Sequence, residues 1–177
     1  YGADERKILA QGLSRSRALT RRGYKNLAPA ISPDGRRIAY AVYDADEHPS
    51  IHLMNSDGSD DRKLVNNTAL SGQGIAWGPD GKGFYYTKTE MVRNTNLYND
   101  IYYYDIEQRR EIRLTRHMRA RDAAPSPDGA KLVFVTSKLG KTRLAMLSPI
   151  QKTIVKEQDI SWLSEEDANQ FEAPRFS

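Results

Sequence analysis

Apolar residues in this chain come in short runs of four to seven, broken by polar stretches. Arg37-Ile38-Ala39-Tyr40-Ala41-Val42-Tyr43, Gly83-Phe84-Tyr85-Tyr86 and Lys131-Leu132-Val133-Phe134-Val135 are β-branched and aromatic, and of strand length. Ala30-Ile31 and Ile75-Ala76-Trp77 are shorter runs of the same kind, each standing just before a Pro-Asp-Gly. Proline fixes φ near about −65°, which suits the second position of a type I turn. Aspartate bonds nearby backbone N–H groups, and glycine takes the left-handed conformation that closes a tight hairpin. Pro33-Asp34-Gly35, Pro79-Asp80-Gly81 and Pro127-Asp128-Gly129 are therefore expected to be hairpin turns.

The turns recur. Ser32-Pro33-Asp34-Gly35, Gly78-Pro79-Asp80-Gly81 and Ser126-Pro127-Asp128-Gly129 begin 46 and 48 residues apart. Leu19-Thr20, Leu64-Val65 and Leu114-Thr115 stand 12 to 14 residues before them as a second marker, the end of a last strand. Between markers the first repeat holds four strands: Pro29–Ile31, Arg37–Tyr43, Ile51–Met54 and Arg62–Val65, which we call A to D. The second has a longer B–C loop, Glu90 to Asn99, and strand C at Ile101–Tyr104. The third has strand C at Arg143–Leu147 and strand D expected at Thr153-Ile154-Val155.

Four up-and-down strands at a period in the mid-forties make a β-propeller blade. The expected fold is all-β, a propeller fragment of about three four-stranded blades with partial blades at both ends. The chain divides into 1–27 (end of a preceding blade, with strands at Lys7–Ala10 and Ser16–Thr20), 28–65, 66–115 and 116–160 (blades), and 161–177 (start of a following blade). The corresponding sheets are expected over 28–65, 74–115 and 122–158. Connectivity alone puts the A–B and C–D turns on one face, and the B–C loops and D–A connections on the other.

These residues resemble the TolB-like propeller repeat. The likeness rests on Pro29, Ser32-Pro33-Asp34-Gly35, a following basic residue, Ile38-Ala39-Tyr40, Ile51-His52-Leu53-Met54, Asp57-Gly58 and Lys63-Leu64. It continues through Arg113-Leu114-Thr115-Arg116 to the third turn, covers about residues 15–150, and echoes weakly at 171–177. Gly78 in place of serine, and Pro125 in place of an apolar strand residue, depart from the pattern and imply local irregularity. The resemblance implies a ring of about six blades or more, hence that this is part of a longer chain. Similar blades occur in periplasmic Tol-system proteins, in the non-catalytic propellers of prolyl oligopeptidase-type enzymes and in tricorn-like proteases. It thus implies a non-catalytic scaffold for a protein or peptide in the periplasm. The other implied function is the accessory propeller of a serine peptidase or other hydrolase whose catalytic domain lies elsewhere.

Composition narrows the chemistry. With no cysteine there is no disulfide framework and no thiolate metal site. A net charge of +4 is too small to imply nucleic acid, and no apolar run is long enough to span a bilayer. Asn55-Ser56-Asp57-Gly58 resembles a calcium loop, but an EF-hand would need acids where Leu53 and Leu64 stand, so a hairpin turn is the better reading. Asp44, Asp46 and Glu47 read as a solvated acidic loop. His48, His52 and His117 have no zinc spacing, and there is no Gly-x-Ser-x-Gly elbow, so no catalytic residue, metal site or cofactor is expected. Arg21 and Arg22 fall in one D–A connection; Arg116, His117, Arg119 and Arg121 fall in another. Two readings of these basic loops stand. They form a partner surface for acidic groups, or they are solvated loops whose arginines bond nearby carbonyls and acids.

Overall fold

The computed structural model describes residues 17–20, 25–43, 49–66, 69–92, 96–138, 141–148 and 153–163. They form three four-stranded antiparallel sheets, each in sequential order. The first sheet comprises β1 (Lys25–Ile31), β2 (Arg37–Tyr43), β3 (Pro49–Asn55) and β4 (Arg62–Val65). The second comprises β5 (Ala69–Trp77), β6 (Gly83–Val92), β7 (Asn96–Asp105) and β8 (Arg110–Arg113). The third comprises β9 (Arg121–Pro125), β10 (Leu132–Lys138), β11 (Lys141–Leu147) and β12 (Ile160–Trp162). These are propeller blades, and the all-β class expected from the sequence is the fold observed.

The pleat explains the cores. Alternate side chains point to opposite faces, so each blade faces two neighbours. Ala39, Ile51, Leu53 and Val65 of the first blade pack with Trp77, Phe84, Tyr86, Tyr102 and Tyr104 of the second. The intervening Tyr85 and Tyr103 turn the other way, to Leu132, Phe134, Ala145 and Leu147 of the third. The tyrosine run at 102–104 is thus shared between two inter-blade cores. Ile38, Tyr40, Val42 and Met54 cover the remaining face of the first blade, where Leu19 packs on them.

Two expected strands differ. Arg17–Thr20 has no regular structure, so the described part of the strand expected at Ser16–Thr20 is absent. The fourth strand of the third blade is Ile160–Trp162, not Thr153–Val155. The reason is a tertiary bond: Val155 N–H donates to the Leu114 carbonyl of the adjacent blade at 2.8 Å, and its side chain is buried in the shared core. The chain then passes a 3-10 turn, Glu157–Asp159, before Ile160 pairs with Leu147. Pro125 sits at the end of β9, an edge strand of its sheet, where a missing N–H is tolerated. Lys7–Ala10, the 44–48 loop and 164–177 lie outside the described residues.

The Pro-Asp-Gly segments occupy the hairpins β1–β2, β5–β6 and β9–β10. Gly35, Gly81 and Gly129 have φ of 71°, 66° and 72°. In the first turn the Asp34 carboxylate accepts from the Ser32 hydroxyl and from Arg36 N–H at 3.1 Å. Asp128 does the same with Ser126 and Ala130. Successive turns also touch: the Arg37 guanidinium donates to the Gly81 carbonyl at 2.7 Å and lies 5.3 Å from the Trp77 ring centroid.

The Ser32 hydroxyl first, and then the Arg36 N–H, hold Asp34 below its ordinary value of 3.8. The Ser126 hydroxyl and the Ala130 N–H do so for Asp128. A carboxylate with a depressed folded pKa stabilises above the unfolded pKa, and the contribution is lost as pH falls through the folded one. Stability should therefore be unaffected by these turns from neutrality to about pH 5 and should decline below 3.8. Carboxyl NMR titration should place both midpoints below 3.8, and Ser32→Ala should raise that of Asp34 alone. Midpoints at or above the ordinary value would refute the turn geometry.

Candidate functional site: a basic crossover loop and its cleft

The connection from β8 to β9 carries the described basic residues of interest, and a buried acid shapes it. Asp100, on β7, has no solvent exposure. Its Oδ1 accepts from the Thr115 hydroxyl at 2.8 Å and from Met118 N–H at 3.2 Å. Its Oδ2 accepts from the Arg113 guanidinium at 2.6 Å and from His117 N–H at 2.9 Å. Arg113 also pairs with Glu90 at 2.8 Å. A carboxylate has about four acceptor sites, and all four are taken. Thr115, His117 and Met118 therefore tie the loop at three points to the strand beneath it, and Arg113 ties the end of β8.

That bonding holds an unusual backbone. His117, Arg119 and Asp122 have φ of 56°, 51° and 58° without being glycine. Such conformations cost of order 1 kcal/mol each, persist only when surroundings enforce them, and concentrate at functional sites. At His117 and Arg119 they bring the side chains onto one ring. His117 lies 5.1 Å from Tyr98, and the Arg119 guanidinium lies 5.4 Å from the same ring.

Of the residues expected to form a partner surface, the structure brings Arg116, His117 and Arg119 together around one cleft. Arg121 is set apart: it is the first residue of β9, and its guanidinium pairs with the buried Asp122 carboxylate. Arg21 and Arg22 lie outside the described residues. The cleft encloses about 690 Å³, and its lining adds Tyr98, Arg143, Ile154, Lys156 and Trp162. Tyr98 was foreseeable in kind, because connectivity puts the B–C loop and the crossover on one face. Trp162 was not, since it enters only through the pairing of β12 with β11.

A second concavity, of about 430 Å³, lies between the turns of the second and third blades. It is lined by Pro79, Asp80, Tyr85, Tyr103, Pro127 and Asp128, with no cation. Burial first, and then the nearby Asp80 charge, push the Tyr85 phenol up to about 12. The Asn55–Ser59 segment is a turn, with Asp57 accepting from Ser59 N–H at 2.9 Å. Among the described residues, no three His, Asp or Glu side chains gather as metal ligands.

Residues 26–114 match the family described as the N-terminal beta-propeller domain of prolyl oligopeptidase. An uncharacterized protein of Agrobacterium fabrum is 36% identical over 118 residues, covering 64% of this chain and 37% of that protein. A TolB homolog of Chlorobium luteolum is 29% identical over 132 residues, covering 73% of this chain and 28% of its own length. The chain therefore spans about a third of these relatives. The crystal structure of TolB from Acinetobacter baumannii superposes with a TM-score of 0.57 at 25% identity, over 77% of this chain and 32% of that one. The blades, their turns and the match across half the sequence agree: the chain belongs to the family of prolyl oligopeptidase N-terminal β-propeller domains, and its blades are TolB-like.

Proposed function

We propose that this propeller segment is a scaffold that receives a protein or peptide on its crossover face, outside the cytoplasm as the TolB-like resemblance implies. One observation carries the reading. The buried Asp100 holds a loop with three non-glycine left-handed residues in or beside it, and that loop presents Arg116, His117 and Arg119. Arg116 and Arg119 have no carboxylate partner among the described residues, whereas Arg113 and Arg121 do. Unpaired cations on a fixed loop attract acidic partners and speed encounter, with an effect that salt weakens.

The test is partner capture by the intact protein at low and moderate salt. Arg116→Ser with Arg119→Ser should reduce capture, most at low salt. Charge reversal at Arg36 and Lys82, on the Pro-Asp-Gly face, should leave it unchanged. The reverse pattern would move the site to the other face. Arg37 is unsuitable as a control, because it also joins the first two blades.

The family match favours a second reading, an accessory propeller of a peptidase or other hydrolase. A fluorophosphonate probe labels an activated serine wherever it lies in the intact protein. Labelling would favour this reading; its absence would favour the scaffold.

A further inference from the structure

We infer that the cleft between the second blade's crossover loop and the outer edge of the third blade binds an acidic peptide segment, with carboxylates flanking an aromatic or branched apolar side chain. The inference rests on the partner-face reading above and supplies the ligand class for it.

Charge is the first ground. Among the described residues the lining holds Arg116, Arg119, Arg143 and Lys156 against one carboxylate, Glu157. The second ground is where those charges sit. Arg119 is laid over Tyr98 of the second blade, and Arg143 lies 5.4 Å from the Trp162 ring of the third. Stacking of Arg119 on a ring face engages the flat of the guanidinium and not its edge, which carries the N–H donors. The two arginines are held by different rings on different blades, so the positive charge is spread out and not converged on a point. A chain with spaced carboxylates matches that spread. A single phosphate would favour a converging fork.

The third ground is exposed apolar surface. Ile154 and Trp162 line the cleft while 49% and 39% exposed. An apolar side chain between the carboxylates would cover them. The volume is that of a ligand site, taking a few side chains and not a domain. The wall is also prepaid: Asp100 fixes His117 and Met118 before any ligand arrives, so little ordering is left to binding.

The experiment uses the intact protein and three fluorescein-labelled peptides, read by polarisation. They are Gly-Asp-Glu-Phe-Asp-Glu-Gly, its Asn/Gln counterpart, and a version with Gly in place of Phe. The first should bind at least about tenfold more tightly than either other, a difference of about 1.4 kcal/mol. Arg116→Ser with Arg119→Ser should cost about tenfold, and Trp162 emission should change on binding. Arg119→Lys, which keeps the charge and loses the stack, should weaken binding several-fold. Equal binding of the acidic and amide peptides overturns the inference, and this comparison needs no substituted protein. So does full binding by the doubly substituted protein. If that protein loses partner capture while the native protein ignores the acidic peptide, the face reading stands and the ligand class falls. If neither partner capture nor peptide binding depends on these arginines, both fall.

Discussion

Replacing Asp100 with alanine should destabilise the protein by about 3–5 kcal/mol, as expected when one partner of a buried ion pair is removed. The carboxylate is fully buried, and the Arg113 side chain is 18% exposed, so the arginine left behind cannot fully rehydrate. The Thr115 hydroxyl and the two loop N–H groups lose their acceptor as well. Each buried donor left unsatisfied costs about 1–3 kcal/mol, although the loop would open to water and recover part of it. Glu90 remains as a second partner for Arg113 and limits the loss. Asp100→Asn separates shape from bonding. All four groups around the carboxylate are donors, so the amide NH₂ must point at two of them wherever it is placed. The asparagine variant should therefore lose about 2 kcal/mol despite its near-identical size. Equilibrium urea unfolding would measure both. A loss under about 1 kcal/mol for the alanine variant would show that the four bonds do not hold the loop. Both variants should also weaken capture at Arg116 and Arg119, because the loop's left-handed residues would relax.

Gly83→Ala should cost about 3 kcal/mol or prevent folding, the upper end for overpacking a rigid core. A Cβ on Gly83 would lie 2.5 Å from the Tyr103 Cζ and Oη, and closer still to the Tyr104 backbone oxygen. The Tyr104 oxygen is backbone and cannot give way. Tyr103 is 1% exposed within the core shared by the second and third blades, and Tyr104 belongs to the strand paired with β6. Gly35→Ala makes the contrast. Nothing lies within 4 Å of a Cβ there, and the cost comes only from φ of +71°. It should lose about 1–2 kcal/mol, the torsional penalty alone. Thermal or urea unfolding of the two variants would separate steric from torsional strain. A Gly83→Ala protein as stable as the parent would mean that the pairing of β6 with β7 shifts freely to clear the Tyr104 oxygen, against the register observed.

One of the three turns departs from the other two. Gly78 stands where the other two turns have serine, and Asp80 consequently keeps only Lys82 N–H, at 3.0 Å, of the two donors seen at Asp34 and Asp128. A Cβ on Gly78 would meet Asp80 Oδ1 at 3.1 Å and Tyr103 only at an ordinary contact of 4.0 Å.

The amino-acid sequence by itself determined the turns, the strands between them and their period. Those follow from torsional preferences and alternation within a few residues, which is why Pro33-Asp34-Gly35 and its repeats were legible. It also determined that Arg116, His117 and Arg119 sit on a crossover, because strand direction alternates. The tertiary structure decided what no local window contains. Asp100 reads as one more polar residue on a strand until β8 and the loop after it place four donors around it. Val155 looks like strand until Leu114 of the adjacent blade takes its N–H, which moves the real fourth strand to Ile160–Trp162. That shift brings Trp162 under Arg143 and completes the cleft. Arg121 counted with the other arginines until Asp122 paired with it. In each case the deciding partner is buried charge or a backbone group supplied by the packing of strands and blades, and free energies of desolvation depend on that packing and not on residue type.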